Sequence, residues 1–469
     1  MKIARRERVA NLADGAGSLG RKTTEVEQTQ DVALGRRRVV LGALAFCGSV
    51  AASWAAQTSK IFGNEETQPL ENKGIADNAA GGKADVASVD WFREDWNFDA
   101  ESFSLPTAAL DALDASLEAL AARQNPDGSF GYASELFGRD PGVAGLCGLA
   151  FLAAGSLPGR GLFGRELEKI VDYILARSFD ANSTRATNDE AVVNFLETNE
   201  LSAEEIDGLV VDFREKGGKP TYGHGFATLF LASILGATDR EAKARDRVRA
   251  AVELIVRTQN ADGGWRYEPK RVLVADLSVT VCQLSALRAA RDAGIFVPSA
   301  TVEKAVSYVK KCQNSNGGFR YMLVDGPSGI ARTSAAILAL QAGADDNSEA
   351  IANAFRYLEK AAPLASSGSA TRLNATDNVK TNEIPRLPTT RIEYYFYGEF
   401  YAALAYWRSA RDAASKERWS RWARRAYPNL LSRRGDDGVW RSNVSVDAET
   451  ALVLCALLTP FERTPFFLR

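Results

Sequence analysis

The chain has 469 residues, with 57 Lys and Arg against 59 Asp and Glu, five Cys and a single His. A hydrophobic share of 46% with 25% charged residues is ordinary globular usage, which argues against wholesale disorder and against a polytopic membrane protein. Near-neutral charge leaves no electrostatic footprint for nucleic acid, and one His cannot build a His-rich metal site, so neither metal nor cofactor is expected.

The neutrality is an average over two unlike parts. Residues 1–56 carry nine bases against five acids, and the remainder is mildly acidic. Arg36, Arg37 and Arg38 directly precede an uncharged apolar stretch, 39–56, that closes on small residues. A basic start, an apolar run and a small-residue end make 1–56 an export signal or a retained membrane anchor. Gly-Arg-Arg-Arg-Val-Val-Leu is similar to the twin-arginine signal, which sends folded proteins across a bacterial membrane. The body is therefore expected outside the cytoplasm, with membrane contact through 39–56. Residues 57–103, rich in Gly, Ala, Asn and acids, read as a flexible tether. Of the five Cys, Cys147, Cys282, Cys312 and Cys455 lie beyond the signal, none in Cys-x-x-Cys spacing. A disulfide among them is left open.

Beyond the tether an internal repeat sets the architecture. Gln124-Asn-Pro-Asp-Gly-Ser-Phe130-Gly-Tyr, Gln259-Asn-Ala-Asp-Gly-Gly-Trp265-Arg-Tyr, Gln313-Asn-Ser-Asn-Gly-Gly-Phe319-Arg-Tyr and Asp436-Asp-Gly-Val-Trp440-Arg share one shape. Each follows an amphipathic stretch and precedes one made mostly of Ala, Leu, Val, Cys and Ser. Asp-Gly or Asn-Gly ends one helix, and the aromatic packs between neighbours. Charged helices are predicted near 107–123, 164–178, 240–258, 300–312, 348–361 and 416–432. Six apolar segments, starting at Asp140, Tyr222, Asp276, Gly329, Tyr397 and Val446, pair with them. The polar inserts at about 179–220 and 364–392 lack helical periodicity and read as loops on one face. On the last charged helix, Lys416, Arg418, Arg421, Arg424 and Arg425 read as a solvated outer face rather than an anion patch.

The Gln-Asn-x-Asp-Gly-Gly-Trp pattern resembles the repeats shared by squalene/hopene cyclases and protein prenyltransferase β-subunits. That resemblance implies an all-α fold, an (α/α)6 toroid of six outer and six inner helices over 104–469. It also implies two chemistries, each testable by residue. The cyclases carry Asp-x-Asp-Asp-Thr at one inner helix, the middle Asp being the acid. Here the matching segment is Asp276-Leu277-Ser278-Val279-Thr280, so Ser278 stands where the proton donor should be. The prenyltransferases need a zinc triad of Asp, Cys and His. Here the positions hold Asp276, Ser278 and Arg332, so the zinc site is not expected. The resemblance carries the fold but neither mechanism.

The polar residues kept at the inner-helix starts remain as candidates. Aligning the six starts puts His224, Ser278 and Glu399 in the column of the cyclase acid, with Tyr222, Asp276 and Tyr397 two places before them. Asp276 is then expected beside His224 as an acid–base pair, and Glu449 beside Glu399 as paired carboxylates. Tyr222, Tyr397, Tyr395 and Arg332 are the candidate ligand-binding residues, with the aromatic run 392–401 as a cavity lining. Against this stands a structural reading in which the polar groups cap helices, with Asp140 and Asp276 as N-caps.

Three functions follow. The first is an exported toroid that binds an apolar, isoprenoid-like ligand or a protein partner. The second is a lipid- or terpenoid-modifying enzyme of the cyclase or isomerase kind, using His224, Asp276, Glu399 and Glu449. The third is a glycan-active toroid with paired carboxylates.

Overall fold

The computed structural model describes residues 89–462 apart from 133–134, 136–137, 185–187, 216–218, 347, 367–393 and 443, with the backbone alone over 362–366. The export signal or anchor, most of the tether and the 367–393 part of the second insert lie outside the described residues. Thirteen α-helices and no strand are found among those described. None of these helices is long and apolar enough to cross a membrane.

Two kinds of helix alternate, and their sequences explain where each goes. The outer helices are α1 (Thr107–Ala122), α3 (Gly164–Arg177), α6 (Glu241–Arg257), α8 (Ser299–Lys311), α10 (Glu349–Ser366) and α12 (Ala413–Leu431). Each buries one stripe. In α6 the stripe is Ala244, Val248, Ala251, Val252 and Ile255, at helical spacing. The inner helices are α2 (Pro141–Ala153), α5 (Pro220–Ser233), α7 (Leu277–Asp292), α9 (Ile330–Ala342), α11 (Tyr395–Ser409) and α13 (Val446–Leu458). They are apolar on all sides, and every residue of α2 is buried. Small residues let their backbones approach: a Cβ on Gly145 would stand 2.9 Å from the carbonyl oxygen of Phe226.

Each inner helix packs on the next in chain order, and α13 packs back onto α2, so the inner ring closes. Outer helices lie against their inner partners, with α1 set against both α13 and α2. This is the (α/α)6 toroid that the repeats imply.

The repeated turn is the joint between neighbouring units. Asp127, Asp262 and Asn316 accept the backbone N–H two residues on at 3.0–3.1 Å, which nucleates each turn. Gly128, Gly263, Gly317 and Gly438 then take φ of 87–98°. A Cβ on Gly128, Gly263 or Gly317 would overlap the carbonyl of Lys169, Lys304 or Asn353, each on the next outer helix. Gly438 faces Ala115 and Ala119 of α1, so the last turn docks on the first outer helix. The Gln side chains rivet these contacts. Gln259 donates to the carbonyl of its own Gly263 at 2.8 Å and to that of Thr301, in α8, at 2.9 Å. Gln124 and Gln313 do the same toward Glu166 and Ala350. In the last turn Arg434 replaces Gln and reaches Ser116 Oγ of α1 at 2.7 Å.

Two expectations change. The first insert is not merely a loop: it holds α4 (Glu190–Asn199) and a short 3₁₀ turn, Glu204–Ile206, around a small core of Phe179, Val192, Ile206, Leu209 and Phe213. Only Val192 of α4 is buried, so the helix shows no apolar stripe to read. It also ends in a fifth docking turn, Asp207-Gly208, where a Cβ would overlap the Ala250 carbonyl of α6. The second change is in the tether. Residues 89–103 are packed, with Trp91 and Phe98 buried, Trp96 stacked on Phe98 at 5.2 Å and both edge-on to Tyr427. The packed body therefore includes residues 89–103 as well.

Gly236 also has a positive φ, 86°, but nothing within 4 Å of an added Cβ, whereas Gly263 has φ 98° and the Lys304 carbonyl against it. Gly236→Ala should cost about 1 kcal/mol through backbone strain alone. Gly263→Ala should cost a further 1–3 kcal/mol, roughly, from the collision. Urea unfolding of the two variants measures the difference, and equal losses would remove the docking role of the turn.

Candidate functional site

The starts of the inner helices meet the turns, and one hydrogen bond recurs there. The N–H of the turn aromatic donates to a threonine one turn into the next inner helix: Trp265 to Thr280 at 3.1 Å, Phe319 to Thr333 at 3.0 Å and Trp440 to Thr450 at 3.0 Å. In the second repeat Val210, two residues after Gly208, holds the aromatic position. Its N–H donates to Nδ1 of His224 at 3.1 Å. His224 thus stands in the threonine column, two places from the acid column in which the sequence alignment puts it. The misalignment comes from the insert, which hides the fifth turn, and from Tyr-Gly matching in α5 and α11.

That placement fixes the state of the imidazole. His224 is fully buried, and burial draws its pKa down to about 4, with the Ala251 backbone pulling weakly the other way. Nδ1 accepts a proton donor, so the ring is neutral. It is engaged by the insert, and the field of Arg257 also disfavours its charged form. Asp276 does not figure in its surroundings, so the expected His–Asp pair is not assembled.

Asp276 caps α7 as expected, its Oδ1 accepting the N–H of Val279 at 2.9 Å and the hydroxyl of Ser278. The phenol of Tyr321 donates to Oδ2 at 3.2 Å and also shares a hydrogen bond with the phenol of Tyr267. Complete burial raises the Asp276 pKa, while the bonds from Ser278 and Val279 oppose the rise. Lys219 Nζ sits 3.8 Å from the Tyr267 ring centre, and Tyr222 stacks on the same ring at 6.1 Å. Burial brings the Lys219 pKa down to about 8, against the field of Asp276. Asp276, Tyr267, Tyr321, Lys219 and Tyr222 therefore form one polar cluster, in which the two phenols of the turns are half-buried and the rest buried. Sequence reasoning finds Asp276 and Tyr222 but passes over Tyr267 and Tyr321, although both are the last residue of the repeated turn. Lys219 carries no sequence signal.

The other candidates are held by the scaffold. Glu399 reaches outward from α11, its carboxylate bound by Arg425 at 3.0 and 3.3 Å and by the indole of Trp422 at 2.9 Å, both on α12. Glu449 accepts the hydroxyl of Ser442. The two carboxylates thus have different partners and do not form the expected acid pair. Arg332 donates to the carbonyls of Pro327 at 2.8 Å and Phe319 at 3.4 Å, closing its own turn. Tyr397 packs edge-on against Tyr401 at 4.7 Å, and Tyr395 against Phe396 at 5.6 Å with the Arg433 guanidinium over its ring.

The basic face of α12 is spent similarly. Arg418 and Arg421 both pair with Glu359 at 3.4 Å, Lys416 pairs with Glu101, and Arg424 lies over Phe98.

Two further carboxylates matter to the ring. Asp447 is fully buried, with Oδ2 accepting the Gly131 N–H at 2.8 Å and Oδ1 bonded to Arg123, which ties the last inner helix to the first turn. Asp140 caps α2, accepting the Gly142 N–H at 2.7 Å. Its pKa is pushed up to about 7 by burial, with Glu215 and Asp212 pushing the same way. Cys147, Cys282, Cys312 and Cys455 are buried free thiols. No group of His, Cys, Asp and Glu among the described residues is arranged to hold a metal ion.

The family model of the squalene-hopene cyclase C-terminal domain matches residues 227–411, a span from α5 to α11 that contains two of the four turns. Over that span, less than half of its length, the chain is similar to the squalene-hopene cyclase C-terminal domain. No curated protein matches the chain in sequence. Solved structures of similar shape include cellobiose 2-epimerase from Bacillus thermoamylovorans B4167, at 10% identity and a TM-score of 0.49, covering 74% of this chain and 98% of that one. The type II terpene cyclase MstE from Scytonema gives 12% identity and a TM-score of 0.42, covering 76% and 99%. The GH76A α-1,6-mannanase from Salegentibacter sp. HEL1_6 gives 9% and 0.44, covering 75% and 98%.

In this toroid the neutral His224 makes a pH prediction with a definite sign. Its folded pKa of about 4 lies below the ordinary value of 6.5, so between those pH values the unfolded chain binds a proton that the folded chain refuses. Its contribution is full above pH 6.5 and is lost as the pH falls toward 4, on the order of 3 kcal/mol in all. Buried Asp140 and Asp276, with raised pKa values, act in the opposite direction, so the effect is read as a difference. Urea unfolding from pH 7 to pH 5 should show wild type losing more stability than His224→Gln. Parallel curves would mean that His224 is protonated in the folded state.

Proposed function

We propose that this toroid is a binding module for an apolar, isoprenoid-like ligand, held at the mouth where the inner helices start, and that it performs neither acid-initiated cyclisation nor zinc-dependent prenyl transfer. The observation that carries the reading is at Asp276-Leu-Ser278. The hydroxyl in the position of the cyclase acid donates to the capping carboxylate. An unactivated hydroxyl cannot protonate an alkene. The zinc positions of the prenyltransferases support the same reading, with Ser278 buried and Arg332 bound to turn carbonyls. The groups suited to acid–base work are engaged by the scaffold, His224 by Val210 and Glu399 by Arg425. Tyrosines remain around the mouth, and their faces suit an unsaturated hydrocarbon.

One observation favours a second reading, a lipid-modifying enzyme. Asp276 is completely buried and that burial raises its pKa, while the bonds it accepts from Ser278, Val279 and Tyr321 pull the other way. A glycan-cleaving role has less support, because Glu399 and Asp447 are each neutralised by an arginine. Delivery of the body across a membrane, through residues 1–56, completes the proposal, and a protein partner remains its alternative occupant.

Solvent extraction and mass spectrometry of the purified full chain test the reading, together with incubation on squalene and on linear polyprenols. The expected result is a retained apolar molecule and unchanged substrates. Turnover that Asp276→Asn abolishes would replace the binding module with the enzyme. A chain that carries no lipid and binds none of the panel would remove both.

A further inference from the structure

Inner helices end and outer helices begin at the face opposite the turns. Between α9, α10, α11 and α12 that face holds a cleft of about 400 Å3, with Gln341, Ser348, Arg408, Arg411, Asp412 and Arg418 in its wall. A volume of this order suits a small ligand.

Arg408 sets the cleft apart. It lies in the last turn of α11 and is only 6% exposed, yet its Nη1 is buried with no hydrogen-bond partner. The charges that act on it are Arg288 and Arg411, which repel, and Asp346 and Asp292, which attract. Both carboxylates are already taken. Asp292 holds Arg288 at 2.6 Å, and Asp346 holds Arg411 at 3.3 Å. Three guanidinium groups thus face two carboxylates. Burial, reinforced by Arg288, draws the Arg408 pKa down to about 10, so it stays charged at neutral pH.

A buried cation without a partner is costly. Arg425 is paired with Glu399 and Arg123 with Asp447. Beside Arg408, Gln341 donates to Ser409 Oγ at 2.9 Å and leaves its own Oε1 buried without a partner. The starts of α10 and α12 reach the same cleft at Ser348 and Asp412, and the second is already capped by the Asp412 carboxylate on the Ser415 N–H at 2.9 Å.

We propose that this cleft binds a small oxyanion, a phosphate or carboxylate group, through Arg408, with Arg411 at its rim and, for a phosphate, Gln341 Oε1 accepting from its P–OH. The guanidinium fork matches both groups, and the bond is charge-assisted. The site lies at the other end of the toroid from the mouth and does not depend on what the mouth holds.

Titration of inorganic phosphate, and separately of acetate, into the full chain by calorimetry tests the proposal. Saturable binding of either is expected, and the better of the two assigns the oxyanion. Arg408→Gln should weaken it by about tenfold or more, because the charged donor is lost. Arg411→Ala, at an exposed rim residue and with circular dichroism unchanged, should weaken it by about threefold. If neither anion binds saturably, or if both variants bind as wild type does, the proposal fails. Should Arg408→Gln not fold, an unchanged affinity in Arg411→Ala overturns it equally.

Discussion

The whole ring depends on a backbone contact that only glycine permits. At Gly128, Gly208, Gly263 and Gly317 the chain turns with positive φ and lays its backbone on a carbonyl of the next outer helix. The distance is too short for a side chain. Each such contact sets the rotation from one helix pair to the next, and the last turn, at Gly438, meets α1. Gln124, Gln259 and Gln313 hold the contact laterally, because a single amide spans two carbonyls on two units. The closed inner ring then has no free end to expose its apolar faces. Burial of six almost wholly apolar helices follows from that closure.

A ring so apolar can keep ionisable groups only where they are compensated. Its polar groups accordingly serve the joints: threonine or His224 for the aromatic N–H, Asp140 and Asp276 for helix starts, Asp447 for the seam between last and first repeats, and Glu399 for the bond between α11 and α12. A site for acid–base chemistry would need a group left over after those duties. At the mouth, Asp276 with its two phenols comes nearest to that condition. At the opposite face Arg408 meets it, with its Nη1 buried and without a hydrogen-bond partner.

Much of this was legible in the residues themselves. Four Asp-Gly or Asn-Gly turns, each between an amphipathic and an apolar stretch, gave away the helix pairs and their order. The two acidic N-caps followed from residue type at a helix start. What was not legible had physical causes. The fifth turn, Asp207-Gly208, lies behind an insert and lacks the aromatic, and without it His224 falls into the wrong column. α4 buries a single residue, so no periodicity marks it. Residues 89–103 look like a tether because their anchors are few and Trp96 and Phe98 find their partner, Tyr427, on α12, more than three hundred residues away.

By itself the sequence determined the class of fold and the number of units, because these depend on local periodicity and on the residue types of the repeated turn. The tertiary structure decided which polar groups are spent and which are spare. That depends on partners brought together across the ring, Val210 on His224, Trp422 and Arg425 on Glu399, two phenols on Asp276, and on two carboxylates already taken before Arg408 could use them.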